Sequence, residues 1–451
     1  MTDIALVRAK NNPSVHVTRG HASREGGQQN PPYGILYIAK NLNLHGYRSR
    51  IFDRFQDHYW PLTPEEMARE ILGCHPGVVG ISANTSQCRD TFELADALRR
   101  LSPQTPVLLG GNHFSSPNVI REALQHATAV MSGEGEKSVL QGMQQGPQAF
   151  SGHLVGQALT SDEMNAIPFP GKADLEQTAF NPALVGEFPL LTAKGCPFDC
   201  VFCKDGHRTA KLRYFSVDYV VDALESMHRD YGFDRFFILD DVFVYSVERM
   251  EEMIRALERK RLKFHFRCFL HPNTIKEEPL RLMKRLGVRW ISIGIESGDD
   301  RIHSLLGKKT NLERIRRGVG MCKEQGFDIN GLFMLGNIGE TRQSMERTIA
   351  LADELPTDAD WFSFAVPFPG TAFYDQVERY GTILEPDFSK WNNQELVYLP
   401  NGVTEADMQA LMAQAQEIMQ RKMDRYQRHQ RANLRYWLVR IKQWLRGKVT
   451  R

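Results

Sequence analysis

The chain has 451 residues, of which 42% are hydrophobic and 24% charged, with a formal net charge of +2. These values predict a soluble globular protein of two or three domains and give no reason to expect a general affinity for nucleic acid. Seven cysteines, an odd number without a secreted disulfide pattern, favour a reducing, cytoplasmic location. The N-terminus lacks a signal-peptide pattern, and no apolar run approaches the ~20 residues that span a bilayer.

Residues 1–150 alternate short apolar runs with amphipathic segments, the pattern of βα units around a parallel sheet. We therefore predict a Rossmann-like α/β domain. Its predicted strands cover residues 4–9, 48–55, 78–83, 107–109 and 129–131, and its predicted helices cover residues 33–45, 64–72, 89–101 and 118–124, with one more after residue 136.

Small, polar or Gly-rich turns follow the third, fourth and fifth predicted strands. Ligands of open α/β sheets bind outside the carboxyl ends of the strands, and glycine lets a large ligand approach the backbone. Such turns also simply end strands, and the residues alone favour neither interpretation. The candidate ligand contacts are Ser82, Asn84, Thr85, Gly110, Gly111, His113, Gly133, Glu134 and Gly135.

Several short segments of this domain follow one another in a characteristic order. PPYGILYIA at residues 31–39 precedes HGY at 45–47 and IFD at 51–53, and Gly-rich segments follow at 80–82, 110–113 and 133–136. The ordered set resembles the cobalamin-binding domains that are fused to radical S-adenosylmethionine (SAM) enzymes. The resemblance implies that the nine candidate residues contact cobalamin.

The chain departs from many cobalamin proteins in one respect. Those proteins carry Asp-x-His-x-x-Gly, whose histidine binds cobalt. Among the 14 histidines only His207 follows an aspartate, Asp205, at this spacing, but the sixth position is Ala210 and the segment lies outside the first domain. The resemblance therefore implies that cobalt receives no histidine from this chain, and we expect a residue of the segment 84–87 to face its lower side.

After a linker at residues 151–187, a second domain is predicted at residues 188–400. Near its start, Cys196, Cys200 and Cys203 share one Gly- and Pro-containing loop with the spacing Cys-x3-Cys-x2-Cys. Thiolates are the usual ligands of a [4Fe–4S] cluster, and three of them leave one iron open. A structural zinc site would require four ligands. Three buried core cysteines are the alternative, but a loop is not the apolar stripe that a core requires.

With Phe202 before its last cysteine, this loop resembles the signature of radical SAM enzymes. The resemblance implies that the open iron chelates the amino and carboxylate groups of SAM. It further implies that an electron from the cluster cleaves SAM to a 5′-deoxyadenosyl radical. That electron would come from an external donor of the flavodoxin or ferredoxin type.

Units of strand and helix continue after the loop. Together with the strand before the loop they make about six βα units, which right-handed crossovers would curl into a partial (β/α)6 barrel with its site at the carboxyl ends of the strands. The predicted strands cover residues 236–239, 265–269, 290–295, 331–335 and 361–366, and the predicted helices cover residues 216–231, 247–260, 279–286, 312–325 and 341–354.

Two short groups of polar residues, each with at least one acid, follow strands of this barrel. Asp240 and Asp241 match the Asp-Asp-x-Phe of the resembled subfamily and could bind the SAM ammonium group; a helix N-cap is the alternative. Glu296 and Ser297 resemble the Gly-x-Glu-Ser motif, which implies that Glu296 binds the SAM ribose or amino group. A solvated carboxylate is the alternative for Glu296.

Two further candidates come from the middle of the barrel. Gly336 belongs to residues 331–340, which resemble the family segment that lines the adenine. Arg267 could pair with the SAM carboxylate, because arginine offers a bidentate fork, and a structural salt bridge is equally compatible with the sequence. Residues 368–371 match a family turn after the next strand.

The C-terminal segment, residues 401–451, is predicted to be helical and basic. From residue 420 onward it has 11 Lys and Arg against one acid, Asp424. One helical face is apolar, which suits a membrane-surface helix or packing on the barrel or on a second subunit. That face consists of Leu434, Trp437, Leu438, Ile441, Trp444 and Leu445.

The resemblance implies a cobalamin-dependent radical SAM enzyme that methylates an unactivated carbon of a small or lipid-like metabolite. In this chemistry the radical removes a hydrogen atom, and methylcobalamin delivers the methyl group. An oxidative cyclase or ring-rearranging enzyme is the alternative. A methylthiotransferase would need further N-terminal cluster cysteines, a pattern that Cys74 and Cys88 lack. The chemistry demands no acid–base residue, and we expect residues 13–30 and 373–398 to line the substrate pocket.

Overall fold

The computed structural model describes residues 2–11, 30–204, 212–243 and 246–431. The apolar face predicted between Leu434 and Leu445 and the Asp205-Gly206-His207 segment lie outside these residues, as does most of the predicted substrate segment 13–30.

The first domain is a six-stranded parallel sheet in the order β2-β1-β3-β4-β5-β6. Helices cover both of its faces, and alternate residues of β1, such as Leu6 and Val7, therefore enter two different apolar cores. The strands are β1 (Ile4–Arg8), β2 (Ser49–Asp53), β3 (Val78–Ser82), β4 (Val107–Gly110), β5 (Ala129–Ser132) and β6 (Gly152–Val155). The helices are Tyr33–Leu44, Pro64–Leu72, Cys88–Leu101, Pro117–His126 and Glu136–Gln145.

The edge strand β6 is absent from the sequence-based prediction. Its four residues alternate between half-buried and exposed positions and form no apolar run. The predicted linker is folded rather than extended. It contains the helices Ser161–Ala166 and Lys172–Leu175, and Met164 and Leu175 are buried in the main core.

The second domain is a six-stranded parallel sheet in the order β14-β13-β12-β11-β10-β7, which confirms the predicted succession of six strands. The two-residue strands β8 (Ala193–Lys194) and β9 (Arg213–Tyr214) follow its first strand. The main strands are β7 (Phe188–Leu190), β10 (Arg235–Ile238), β11 (His265–Leu270), β12 (Val288–Glu296), β13 (Asp328–Leu335) and β14 (Ala359–Phe364). Its longer helices are Val217–Tyr231, Val247–Arg259, Glu277–Leu286, Asp300–Leu305, Leu312–Glu324 and Arg342–Glu354.

Beyond β14 the chain forms a cap and then a long helix. The cap contains the short helices Ala372–Asp375 and Val377–Tyr380 and an antiparallel pair of strands, β15 (Gly381–Ile383) and β16 (Tyr398–Pro400). The helix Glu405–Arg431 packs on the barrel through buried residues such as Met408 and Leu411. Within the described ranges, no helix is long and apolar enough to cross a membrane.

A buried ion pair fastens this long helix to the edge of the barrel. The Lys422 ammonium lies 2.7 Å from a carboxylate oxygen of Asp360 on β14. It also donates to the carbonyl oxygen of Leu355, at 3.0 Å. The start of the basic C-terminal segment is therefore part of the barrel.

A second buried carboxylate joins the ends of β12 and β13. One oxygen of Glu340 accepts the backbone N–H groups of Gly336 and Asn337, both at 2.9 Å. The other accepts the hydroxyl of Ser297 at 3.3 Å. Burial raises the pKa of Glu340 to about 7, against the ordinary value of 4.5. Two turns at the open end of the barrel are thereby held in one arrangement.

The raised pKa of Glu340 predicts a pH-dependent contribution to stability. Between pH 4.5 and about pH 7 the folded state keeps a proton that the unfolded state has lost, so this contribution is lost as the pH rises through the folded pKa. Glu340→Gln keeps an acceptor for the two N–H groups and does not titrate. We expect the free energy of unfolding of the wild type to fall relative to Glu340→Gln, by up to about 3 kcal/mol.

Chemical denaturation of both proteins across this pH range measures the difference. If the difference in the free energy of unfolding did not change with pH, the raised pKa of Glu340 would be contradicted.

Candidate functional site

The cysteine loop follows β7 and β8 at the carboxyl end of the barrel sheet. Backbone hydrogen bonds fix its middle: the N–H of Val201 donates to Leu306 at 3.0 Å, and the N–H of Phe373 donates to Val201 at 2.9 Å. Gly307 packs so closely on the loop that a Cβ there would lie 3.0 Å from the carbonyl oxygen of Asp199. The loop is therefore supported by the neighbouring turns.

Cys200 of this loop is buried, and Cys196 and Cys203 are half-buried. Burial raises the pKa of the Cys200 thiol, and the nearby Lys308 ammonium opposes this shift. Over the described ranges, no three His, Cys, Asp or Glu side chains surround a point where a single metal ion could bind. Each thiolate of a [4Fe–4S] cluster binds a different iron, so the sulfurs stand further apart than around one ion. Three thiols on one loop suit the cluster.

A buried ion pair lies against this loop. The Glu296 carboxylate ends β12 and lies 2.6 Å from the Lys308 ammonium, and both side chains are largely buried. Glu296 has a φ of +68°, a strained conformation for a residue with a side chain. The Lys308 ammonium also lies 6.0 Å from the centroid of the Phe202 ring. The structure thus gathers Glu296 and Phe202 around a cation that the sequence analysis did not identify.

His271, at the end of β11, is a second residue that the sequence analysis missed. Its ring stacks on Phe198 of the cysteine loop, with 3.7 Å between the ring centroids. Nδ1 accepts the N–H of Asn273 at 3.2 Å, and burial lowers the pKa of His271 to about 3. A neutral ring with this bond carries its proton on Nε2. Neither His271 nor Lys308 belongs to a sequence motif, since only the folded chain brings them to the loop.

The predicted aspartates have different positions. Asp240 is buried, and its carboxylate accepts the backbone N–H groups of Thr192 at 2.6 Å and Ala193 at 3.0 Å. Burial raises the pKa of Asp240 to about 6. The following helix is capped by Ser246 instead, so the N-cap alternative is wrong. Asp240 therefore holds the backbone that leads into the cysteine loop, whereas Asp241 is exposed.

Arg267 corresponds to the salt-bridge alternative. Its guanidinium lies 3.0 Å from Glu187 and 3.7 Å from the centroid of the Phe237 ring. Glu187 precedes β7, whereas the cysteine loop follows that strand. Of the two alternatives for Arg267, the ion pair with Glu187 favours the structural salt bridge, because Glu187 lies at the end of the sheet opposite the cysteine loop; pairing with the SAM carboxylate stays a prediction.

Ser297 and Gly336 lie at the carboxyl ends of β12 and β13, as predicted. Ser297 is fully buried and bonds Glu340 and Thr348. Gly336 has a φ of +87°, and a Cβ there would lie 2.9 Å from the Cε atom of Met408. Helix packing therefore accounts for this glycine, and contact with adenine stays a prediction.

In the first domain, a polar cavity of about 370 Å³ opens at the carboxyl ends of β1 and β3. It contains two of the predicted cobalamin contacts, Ser82 and Asn84. Its other polar lining residues include Arg8, Asn11, Asn30, Ser86 and Gln87. The amide-rich lining suits a ligand with many carboxamide groups such as cobalamin.

His113 provides a second observation that fits a polar ligand. The side chain is fully buried, and neither ring nitrogen has a hydrogen-bond partner among the described residues. Burial, and then the Lys204 ammonium, lower the pKa of His113 to about 3, so the ring is neutral. The rings of Phe114 and Phe388 lie 5.2 and 5.5 Å away. A buried polar ring without a partner requires an explanation in a native protein.

Close packing accounts for three of the predicted glycines. A Cβ would lie 2.6 Å from the carbonyl oxygen of Ala83 at Gly111, 2.9 Å from that of Gly156 at Gly133, and 3.0 Å from a side-chain carbon of Ile38 at Gly135. At Gly110 a Cβ would lie 3.9 Å from the carbonyl oxygen of Met131, an ordinary van der Waals contact.

Two of the predicted cobalamin contacts, Glu134 and Thr85, form polar contacts with residues of the second domain. Glu134 forms an ion pair with Arg213 of β9. The Thr85 hydroxyl accepts the Lys204 ammonium at 2.9 Å. The turns of the first domain are therefore joined to the region of the cysteine loop.

Comparison with known proteins identifies both domains. The model of the radical SAM superfamily matches residues 190–352, and the model of the B12 binding domain matches residues 23–141.

Curated relatives cover most of the chain. An uncharacterized methyltransferase of Pyrococcus horikoshii is 26% identical and covers 88% of this chain and 89% of its own length. The cytidylyl-2-hydroxyethylphosphonate methyltransferase of Streptomyces wedmorensis is 26% identical, covering 78% of each chain. An anaerobic magnesium-protoporphyrin IX monomethyl ester cyclase of Rubrivivax gelatinosus is 23% identical, covering 88% of this chain and 73% of its own.

The fold is also that of a solved structure. The radical SAM methyltransferase TsrM from Kitasatospora setae, solved with cobalamin and a [4Fe–4S] cluster bound, has a TM-score of 0.69 at 16% identity, covering 92% of this chain and 91% of its own. Both domain models occur in one chain and in the predicted order. The chain therefore belongs to the cobalamin-dependent radical SAM enzymes, whose cofactors are a [4Fe–4S] cluster, SAM and cobalamin.

Proposed function

We propose that this enzyme is a C-methyltransferase that methylates an unactivated carbon of a small or lipid-like molecule. One observation supports this proposal above the others: the three-cysteine loop lies directly against the turns of the cobalamin-binding domain, with Lys204 next to Cys203 bonding both Thr85 and Asn112. A methyl donor and a radical source that act on one carbon must be close together.

The residues present fit the three cofactors. Cys196, Cys200 and Cys203 would hold the cluster, and the cavity that contains Ser82 and Asn84 would take part of cobalamin. When bound, the cluster with SAM supplies radical hydrogen-atom abstraction, and cobalamin supplies a methyl group. The reductant is proposed to be an external flavodoxin or ferredoxin.

The Glu296–Lys308 pair offers charges of both signs beside the cysteine loop. SAM carries an ammonium and a carboxylate group on its methionine end. Glu296 would accept hydrogen bonds from the ammonium or ribose, and Lys308 would donate to the carboxylate, the role first considered for Arg267. Asp240 and Glu340 position the neighbouring backbone and leave the binding to this pair.

Apolar residues of the cap surround the same region. Phe373 is buried against Tyr398, with ring centroids 5.0 Å apart, and its backbone bonds Val201 of the cysteine loop. Trp391 and Phe388 pack beside them. This cap would exclude water and suits an apolar substrate. A peripheral membrane contact, in the cytoplasm, through the predicted apolar face of the basic C-terminal segment is part of the proposal.

An oxidative cyclase is the second candidate. The match with the monomethyl ester cyclase of Rubrivivax gelatinosus spans 88% of this chain, so one relative over most of the chain is named as a cyclase and not as a methyltransferase.

The two candidates predict different products from SAM with a deuterated methyl group. The anaerobically reconstituted holoenzyme is incubated with this SAM, a reductant and a cell extract, and the products are analysed by mass spectrometry. We expect one metabolite to gain a deuterated methyl group while 5′-deoxyadenosine accumulates. A variant with serine at Cys196, Cys200 and Cys203 is the control and should yield neither product. Conversion of a metabolite without label would contradict methyl transfer and favour the cyclase.

The assignment of Lys308 predicts a selective loss of SAM affinity. Lys309→Met is the matched control, because Lys309 is adjacent in sequence and its side chain is 73% exposed. Equilibrium dialysis of the reconstituted protein should show SAM affinity at least ~10-fold lower in Lys308→Met, equivalent to about 1.4 kcal/mol, and little changed in Lys309→Met.

Lys308→Met leaves the Glu296 carboxylate buried without its partner. The double variant Glu296→Gln/Lys308→Met contains no unpaired buried carboxylate. A loss of SAM affinity in this variant therefore cannot be attributed to destabilisation by that charge. Unchanged affinity in both, or a loss in Arg267→Met alone, would contradict the assignment.

A further inference from the structure

Lysines flank the cysteine loop on both sides, and both bond the first domain. Lys194 lies two residues before Cys196 and forms an ion pair with Glu136. Lys204 directly follows Cys203, and its ammonium donates to the Thr85 hydroxyl at 2.9 Å and to the Asn112 carbonyl at 3.0 Å. Both ends of the cluster-binding loop are thereby attached to the cobalamin-binding domain.

The Lys194 end is a charged pair in a buried position. Glu136 is 4% exposed and begins the helix Glu136–Gln145. Burial would raise the pKa of Glu136, but the Lys194 ammonium, together with a backbone N–H group and Arg213, lowers it. Replacing Lys194 would leave this carboxylate buried and unpaired, which is strongly destabilising. In a variant of Lys194, a change in the position of the loop could therefore not be separated from a loss of folding stability.

The Lys204 end is different, because the two acceptors described above, Thr85 and Asn112, are neutral. Thr85 and Asn112 belong to the turns after β3 and β4, which contain predicted cobalamin contacts. The Lys204 ammonium also lies 4.8 Å from the centroid of the Phe368 ring. The neighbouring carbonyl of Pro369 accepts the Ser115 hydroxyl at 2.8 Å. Lys204 thus lies where the cluster loop, two turns of the first domain and the turn after β14 converge.

We propose that Lys204 is a positioning residue that sets the separation between the cluster and cobalamin. This inference rests on the proposed function, in which one substrate carbon must be reached both by the radical and by the methyl donor. A displacement of about 1 Å can reduce the rate of such a reaction about 100-fold. Without the Lys204 contacts, the turns carrying Thr85 and Asn112 lose their direct attachment to the chain beside Cys203.

Lys204→Met tests the proposal, with Lys260→Met as the matched control. Lys260 is also a lysine with two acceptors, Asp222 at 2.8 Å and Glu225 at 2.5 Å, but both lie within the second domain. The holoenzyme is reduced to give cob(II)alamin and the paramagnetic cluster. Pulsed EPR then measures the distance distribution between the two centres, and no substrate turnover is required.

We expect one narrow distribution in the wild type and in Lys260→Met, and a broader or displaced one in Lys204→Met. In turnover with SAM, Lys204→Met should keep its rate of 5′-deoxyadenosine formation while the ratio of 5′-deoxyadenosine to methylated product rises at least ~10-fold. Lys204→Arg, which retains a cation, should recover much of the wild-type ratio. A loss of general stability would not produce this selective change and rescue.

Unchanged distances in Lys204→Met with both cofactors bound would overturn the inference. Should Lys204→Met fail to bind a cofactor, Thr85→Val decides, because it removes one acceptor and keeps the lysine. It should broaden the distribution to a smaller extent, and an unchanged distribution would likewise overturn the inference. A wild-type enzyme that makes no methylated product would instead refute the proposed function, whereas the distance measurement would still test Lys204.

Discussion

The arrangement of the whole site depends on how the cysteine loop is held. A loop with three metal-binding thiols has little regular structure of its own, so its shape must come from its neighbours. Backbone bonds from Val201 to Leu306 and to Phe373 provide part of this support. Asp240 adds to it by binding the backbone of Thr192 and Ala193, just before the loop. The fold thus places the thiols at the end of the barrel sheet that faces the first domain.

Buried ion pairs lie at three places where separate elements of the structure meet. Glu296–Lys308 lies beside the loop, Glu136–Lys194 joins the two domains, and Asp360–Lys422 attaches the long helix. Desolvation makes such pairs weak contributors to net stability, but breaking one by removing a single partner is costly. We infer that each of these ion pairs fixes the relative position of the two elements that it joins. Glu296 adds backbone strain at a φ of +68°, which is a common property of functional residues.

The sequence predicts the succession of most strands along the chain and the cysteine loop well, because both are local patterns. Apolar runs between amphipathic segments identify βα units, and the three cysteines lie within eight residues, 196–203. The missed features depend on contacts between distant segments. Lys308 follows a short helix in an otherwise ordinary Gly-Lys-Lys turn, and only folding brings it to Glu296. Arg267 illustrates the converse, since its place in the central sheet suggested a ligand, whereas Glu187 is its partner.

We propose, above all, that three thiolates hold a four-iron cluster whose remaining iron is open to SAM. Mössbauer spectroscopy of protein reconstituted with iron-57 tests this claim most directly, with spectra recorded before and after SAM is added. We expect one of the four irons to change its signal when SAM binds and the other three to keep theirs. A cluster whose irons all respond alike, or a protein that assembles no cluster while folded, would contradict it.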